Sequence, residues 1–402
     1  MNPDGRMDVR TMNNEHVAAA ALASLPLVGP QRLRLLINSL GATDAWHMVR
    51  GEIPAPEHIA ALCAKDDLGR LWRAAATQEL WQRTADVLET HDIQVLLVSD
   101  PRYPAVLRAD HAAPAVLFVR GNLSAFTHRR VGVIGTRAAS AAGRHFARQL
   151  SRELAQAGVA VVSGLARGID AAAHHGVCDA RGDGDRNRAT ELRSTTELRS
   201  SITHAAPPIA VVATGVDVVY PREHASLWQH VIEHGVLISE SAPGCGPDAF
   251  RFPLRNRILA AISEVLVVVE SRASGGSMIT VDEALKRSIT VMAVPGSPHS
   301  EVSAGTNHLL SQGAATVCHV DDVMVALGLD HRHHHERDDP RVPPTAQERL
   351  VISALQHRPL TFNQLVEVLG QPITDVALQL GRLEAHGWVV ANAGWWEALV
   401  SP

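Results

Sequence analysis

The spacing of apolar positions changes twice along this chain. From residue 15 to about 100 it is helical, with Ala- and Leu-rich runs at 15–25 and 68–91. Residues 25–30, Leu-Pro-Leu-Val-Gly-Pro, form a glycine-containing turn ahead of a helix over 31–40, the layout of a small helix-hairpin-helix or SAM-like module. Such a turn either offers backbone N–H groups to a DNA phosphate or simply starts a helix. From 130 to 329 the pattern becomes short Val/Ile runs at 131–134, 159–162, 209–213, 236–239, 265–269 and 290–294. Helix-length segments at 142–157, 171–177, 225–233, 255–262 and 279–287 separate most of them. This alternation predicts a parallel sheet covered on both faces, with ligand sites at the carboxyl ends of its strands. After 345 three helical segments (346–356, 361–369, 373–386) precede two short strands around 392–394, the order of a winged helix.

Two stretches lack apolar periodicity. Residues 179–207 are rich in Gly, Asp and Arg and carry a direct repeat, TELRST then TELRSS, which predicts a disordered surface insertion. Residues 330–344 hold His331, His333, His334 and His335 before Pro340, Pro343 and Pro344, which reads as a solvated linker rather than a metal site. The expected division is therefore a helical module over 15–100, a sheet domain over 101–329, a linker over 330–344 and a winged helix over 345–402.

Composition narrows the function classes. No apolar run reaches the roughly 20 residues of a membrane helix, and the first 14 residues have no apolar signal core, so a cytoplasmic protein without membrane contact is expected. The four cysteines, Cys63, Cys178, Cys245 and Cys318, lie far apart and predict buried thiols rather than a disulfide or metal framework. The net charge of −5 excludes a bulk polycation, so nucleic-acid binding has to come from a local patch. Only Lys65 and Lys286 of the 37 basic residues are lysine, a bias that genomic composition explains as well as phosphate recognition does.

Candidate chemistry gathers at the ends of the predicted strands. The first ends in Gly135-Thr136-Arg137, and Ser140 and Gly143 lead into the next helix; this is not a G-x-G-x-x-G fingerprint. The second ends in Ser163-Gly164-Leu165-Ala166-Arg167-Gly168, where a dinucleotide site would need an acidic residue, and Asp170 is placed to cap the following helix. Glycines at 164 and 168 let backbone approach a ligand, and arginine offers a bidentate phosphate donor. The stretch Phe250-Arg251-Phe252-Pro253-Leu254-Arg255-Asn256-Arg257 interleaves charge and rings as a single-strand nucleic-acid surface does. Gly275, Gly276 and Ser277 open a further helix start, with Thr280 and Glu283 offering a capping box. Three glycine turns with convergent arginines predict a phosphate-binding rim. No catalytic set accompanies it. Asp170, His174, Glu240 and Glu270 have the chemistry of acids or bases, but capping and turn roles account for them equally well, and no metal or cofactor is expected.

These strings resemble the DNA-processing protein A family (DprA, also called Smf). The resemblance is carried by Tyr103-Pro104, residues 114–121, VGVIGTRAAS (131–140), SGLARGIDAAAHHG (163–176), IAVVATGVDVVYP (209–221), LISE (237–240), FPLRNRILAAISEVLVVVES (252–271), SGGSMIT (274–280), AVPG (293–296) and GTNHLLSQGA (305–314). It implies an extended Rossmann-like fold, single-stranded DNA binding, dimerisation, and loading of RecA recombinase in natural transformation. It also implies a DNA-phosphate pocket lined by Arg137, Ser163, Gly164, Arg167, Gly168, Arg255, Asn256 and Ser277. The rival expectation is a nucleotide hydrolase of the lysine-decarboxylase-like type, suggested by Gly275, Gly276, Thr280 and Glu283; such proteins lack the RNR and SGLARGID stretches.

Overall fold

The computed structural model describes residues 14–191, 205–329, 344–355, 359–392 and 394–399, in two compact units, 1–332 and 333–402. The first unit opens with helices α1 (Asn14–Ala23), α2 (Gly29–Leu40), α3 (Ala42–Arg50), α4 (Glu57–Ala64), α5 (Leu68–Ala75) and α6 (Gln78–Thr90). Then follow β1 (Gln94–Leu97), α7 (Ala105–Arg108), β2 (Val116–Gly121), β3 (Arg129–Ile134), α8 (Ala141–Gln156), β4 (Val159–Ser163), α9 (Ile169–Glu191) and β5 (Ile209–Val211). The unit continues with α10 (Ala225–His234), β6 (Val236–Ser239), α11 (Arg251–Ile262), β7 (Val265–Val268), α12 (Gly276–Leu285), β8 (Thr290–Ala293), α13 (Ala304–Ser311), β9 (Ala315–Thr316) and α14 (Val320–Ala326).

The nine strands among the described residues of this unit join one sheet in the order β1-β2-β6-β5-β4-β3-β7-β8-β9. From β6 to β9 neighbouring strands are parallel, with Val131 opposite Val161 on one side and Val265 on the other. Both faces of such strands are covered, which is why they read as unbroken Val/Ile runs: β4, β6 and β7 are buried at every position. One face packs against α8 and α9 through Val131, Val161, Leu150 and Ala173, and the other against α11 through Ile134, Val162, Leu259 and Ile262. The N-terminal helices share a core with the sheet through Leu25, Trp72, Phe118 and Trp228.

Several expectations need correction. Residues 94–97 are a strand rather than part of an all-helical module, and they extend the sheet through β2, which pairs antiparallel with both β1 and β6. A buried run as short as Val95-Leu96-Leu97 carries no period that separates strand from helix. The region 179–207 is not a loop throughout. Helix α9 continues to Glu191, because propagating a nucleated helix is far easier than starting one, and Arg148 ion-pairs Asp179 at 2.5 Å. Residues 192–204, most of the TELRS repeat, lie outside the described residues, as do 330–343 with the histidine tract. Helix α11 starts at Arg251, four residues earlier than its periodicity suggests, since Pro253 is tolerated in a first turn. Helix α12 starts at Gly276 with no side-chain cap, so Thr280 is a buried interior residue rather than a capping-box member. Asp170 likewise sits inside the first turn of α9 rather than at its cap. The thiols are not uniformly buried: Cys63, Cys178 and Cys245 are half-buried and Cys318 is exposed.

The second unit holds α15 (Ala346–Leu355), β10 (Leu360–Thr361), α16 (Phe362–Leu369), α17 (Ile373–Ala385), β11 (Val389–Asn392) and β12 (Trp395–Ala398). It is a winged helix with a three-stranded sheet in the order β10-β12-β11. Thr361 and Gln364 form a capping box, and Gly370 at φ +61° ends α16. Its core is Val351, Leu365, Val376, Leu380, Leu383 and Val389. Among the described residues, no helix is long and apolar enough to cross a membrane.

Candidate nucleic-acid interface

Strands β3, β4 and β5 end side by side, and the turn after β4 is the most constrained backbone at that edge. A Cβ on Gly164 would sit 1.9 Å from Nη1 of Arg255, so any side chain there would have to displace that guanidinium. Gly168 has φ +77°, and a Cβ on it would meet the carbonyl oxygen of Thr136 at 2.3 Å. Between them Leu165, fully buried, is held at φ +54°, a conformation that costs a leucine on the order of 1–3 kcal/mol. The surroundings over-determine it. Arg255 donates to the Gly164 carbonyl at 2.9 Å, and His224 Nδ1 lies 2.9 Å from the Leu165 carbonyl oxygen.

This turn forms one wall of a small cleft of about 30 Å3, lined also by Arg137, Arg167, Thr214, Tyr220 and Phe252. The guanidinium of Arg137, itself exposed, rests on the ring of Phe252 with its carbon 4.6 Å from the centroid. Tyr220 approaches the same ring at 5.8 Å between centroids, tilted by 58°. Arg167 is exposed and ion-paired with Glu223, and its hydrogen bond pulls the Glu223 carboxyl down to about 2. Water needs roughly 10–15 Å3, so the cleft has the size of a small anionic group. Two arginines, one of them ion-paired with Glu223, the bare backbone of Gly164 and an aromatic ring suit a phosphodiester with a base stacked nearby.

Four of the sequence-predicted residues, Arg137, Gly164, Arg167 and Phe252, thus meet in one cleft. Others support it from behind. Arg255 is buried, bonding the Gly164 and Val211 carbonyls, and its charge faces Asp170. Burial pushes the Asp170 carboxyl up, against the pull of Arg255, the backbone of Ala166, and Arg137. Ser163 is buried and donates to the Val133 carbonyl at 2.7 Å; Asn256 donates to the Gly276 carbonyl at 3.4 Å. Gly135 packs where a Cβ would strike Ile169 at 2.5 Å.

Other predicted residues point elsewhere. Arg257 turns into a nearly buried ion pair with Glu240 and also donates to the Ala112 carbonyl. Arg251 pairs with Asp248 at 2.9 Å, and Gly275, Gly276 and Ser277 do not line the cleft; Ser277 Oγ donates to Ser271 Oγ at 2.8 Å. Glu270 accepts from the Ser140 backbone at 2.8 Å and its hydroxyl at 2.5 Å, holding the start of α8. Glu283, one of the residues that suggested a hydrolase, is engaged by Lys286 at 2.8 Å and Arg287 at 2.6 Å. Sequence reasoning missed Thr214, Tyr220, Glu223 and His224. They lie between β5 and α10; Thr214 and Tyr220 fall in the 209–221 string that carries the resemblance, but no glycine turn or arginine there marked them as site residues.

Residues 94–184 and 195–328 match the family described as DNA recombination-mediator protein A, and residues 335–394 match the DprA winged helix domain. The chain is 36% identical over 388 residues to a putative DNA processing protein DprA of Mycobacterium tuberculosis, covering 92% of this chain and 90% of that one. It is 32% identical over 301 residues to the protein Smf of Escherichia coli, covering 73% and 74% respectively. Among solved structures it is similar to DNA processing protein A of Streptococcus pneumoniae, with a TM-score of 0.57 and 26% identity over 78% of this chain and 98% of that one. A match over more than half the chain, and over nearly the whole length of a relative, places this protein in the DNA-processing protein A (DprA/Smf) family.

Proposed function

We propose that the chain binds single-stranded DNA at the carboxyl edge of its parallel sheet. In this reading it is a cytoplasmic, homodimeric recombination mediator that protects incoming DNA and loads RecA recombinase in natural transformation. The observation that carries DNA binding is the cleft itself: Arg137 and Arg167, both exposed, flank the Gly164 turn and the Phe252 ring. Membership of a family described as recombination mediators supports the RecA step. The chain works without turnover, because the acids near the edge already have structural partners: Asp170 faces Arg255, Glu240 pairs with Arg257, and Glu270 holds Ser140.

The test is equilibrium binding of an oligo-dT and a duplex of equal length over a salt series. Single-strand affinity should exceed duplex affinity and fall linearly on a logarithmic salt scale. Equal affinity for both at every salt concentration would sink the proposal. Light scattering tests the dimer, and RecA-filament assembly on protein-coated single strands tests loading.

A further inference from the structure

The peptide between Leu165 and Ala166, in the middle of the turn after β4, is gripped on both of its polar atoms. Its carbonyl oxygen lies 2.9 Å from Nδ1 of His224, which reaches it from 59 residues away in the chain. A carbonyl only accepts, so Nδ1 carries the hydrogen. Its N–H, the Ala166 amide, lies against the buried Asp170 carboxyl, which that amide and the Gly164 amide pull down while burial pushes it up. His224 stands immediately ahead of α10, and α10 is seated in the core by Leu227, Trp228 and Val231, all buried. The donor is thus fixed to a rigid helix rather than to a free loop. The neighbouring residue touches the turn as well, through the pair of Glu223 with Arg167. Those side chains are 50% and 61% exposed, so the pair does little to hold the backbone. Loss of the His224 donor weighs more. It strips the partner from the carbonyl of a fully buried residue, at a φ of +54° that leucine does not hold unaided.

We propose that His224 is a positioning residue for DNA binding: its imidazole clamps the Leu165 carbonyl and so keeps Gly164 and Arg167, on either side of that peptide, facing one phosphate. The proposal rests on the DNA-binding reading above. Gly164, Ala166 and Arg167 line the phosphate-sized cleft and His224 does not, so His224 acts through the turn and not by touching DNA. Without the clamp the turn relaxes in a fraction of the molecules. Affinity then falls by the fraction that still holds the binding shape, while the chain stays folded.

The test titrates the full chain with labelled oligo-dT over a salt series. His224→Ala removes the donor. It should bind about tenfold more weakly, keep the wild-type salt slope because no phosphate contact is lost, and show the wild-type number of sites in a titration at high DNA concentration. His224→Asn should bind nearly as wild type does, because its amide nitrogen stands as many bonds from the backbone as Nδ1 and also donates. Wild-type affinity in His224→Ala overturns the proposal, and so does an equal loss in both variants. A reduced salt slope would mean that His224 touches phosphate itself, and fewer sites at the wild-type Kd would mean that it only supports the fold; either result overturns the positioning role. If Arg137→Ala weakens binding in the same experiment, the DNA-binding reading survives that failure. A wild-type chain that ignores oligo-dT overturns both.

Discussion

Replacing Arg137 by alanine separates binding from folding more cleanly than any other change at this edge. The side chain is exposed and rests on the Phe252 ring, so its loss removes a cation–π contact of about 0.5–1 kcal/mol at such a site. Stability should therefore barely move; a shift of 1 kcal/mol is about 2–4 °C in Tm for domains somewhat smaller than this unit. Binding should change far more. A hydrogen bond from a charged donor to phosphate contributes roughly 1.5–3 kcal/mol, which is about 10- to 150-fold in Kd. The loss of one phosphate contact also lowers the salt slope by about 0.7 for a single strand. Fluorescence anisotropy with labelled oligo-dT, repeated across a salt series, reads affinity and slope together, and a thermal melt checks the fold. Wild-type affinity with a wild-type slope would refute the placement of phosphate beside Arg137.

Other perturbations probe neighbouring elements. Glu223→Gln frees Arg167 and removes a negative charge beside the cleft, so oligo-dT should bind more tightly. Because the Glu223 carboxyl titrates near 2, that gain should be the same at every pH from about 5 to 8; a gain that vanishes at the acid end contradicts it. Arg255→Ala strips the donor from the Gly164 and Val211 carbonyls and leaves Asp170 facing no buried cation. A loss of about 3–5 kcal/mol in urea melts should accompany the loss of DNA binding, and a stable variant with intact binding would show that the turn holds itself. His174 is fully buried and its pKa is held down near 3 by burial, so the unfolded chain binds a proton that the folded chain refuses between there and 6.5. Stability should thus rise with pH, with about 2 kcal/mol lost on going from pH 7 to pH 5, and His174→Gln should flatten that dependence. A chain ending at Leu329 should keep oligo-dT affinity within about tenfold, or 1.4 kcal/mol. The winged helix carries three arginines against five acids over 346–402, the wrong sign for neutralising phosphate. Its exposed Trp395 and Ile373 suit a protein contact instead.

The sequence by itself determined the α/β architecture, because strands buried on both faces must be written in Val and Ile while helices keep a polar stripe. It also determined the winged helix, whose cap at Thr361 and stop at Gly370 are local signals, and the presence of glycine-containing turns at strand ends. What it could not decide was which arginines face solvent. Arg251, Arg255 and Arg257 are adjacent in one string, yet Arg255 turns inward to brace Gly164 and Arg257 pairs with Glu240. Their directions follow from the helix that begins at Arg251, where successive residues point about 100° apart. Nor could local pattern place Tyr220 against Phe252, or set the turn at Leu25–Pro30 beside α11. Those contacts join residues far apart in the chain, and only packing the N-terminal helices and the loop after β5 onto one sheet brings them together.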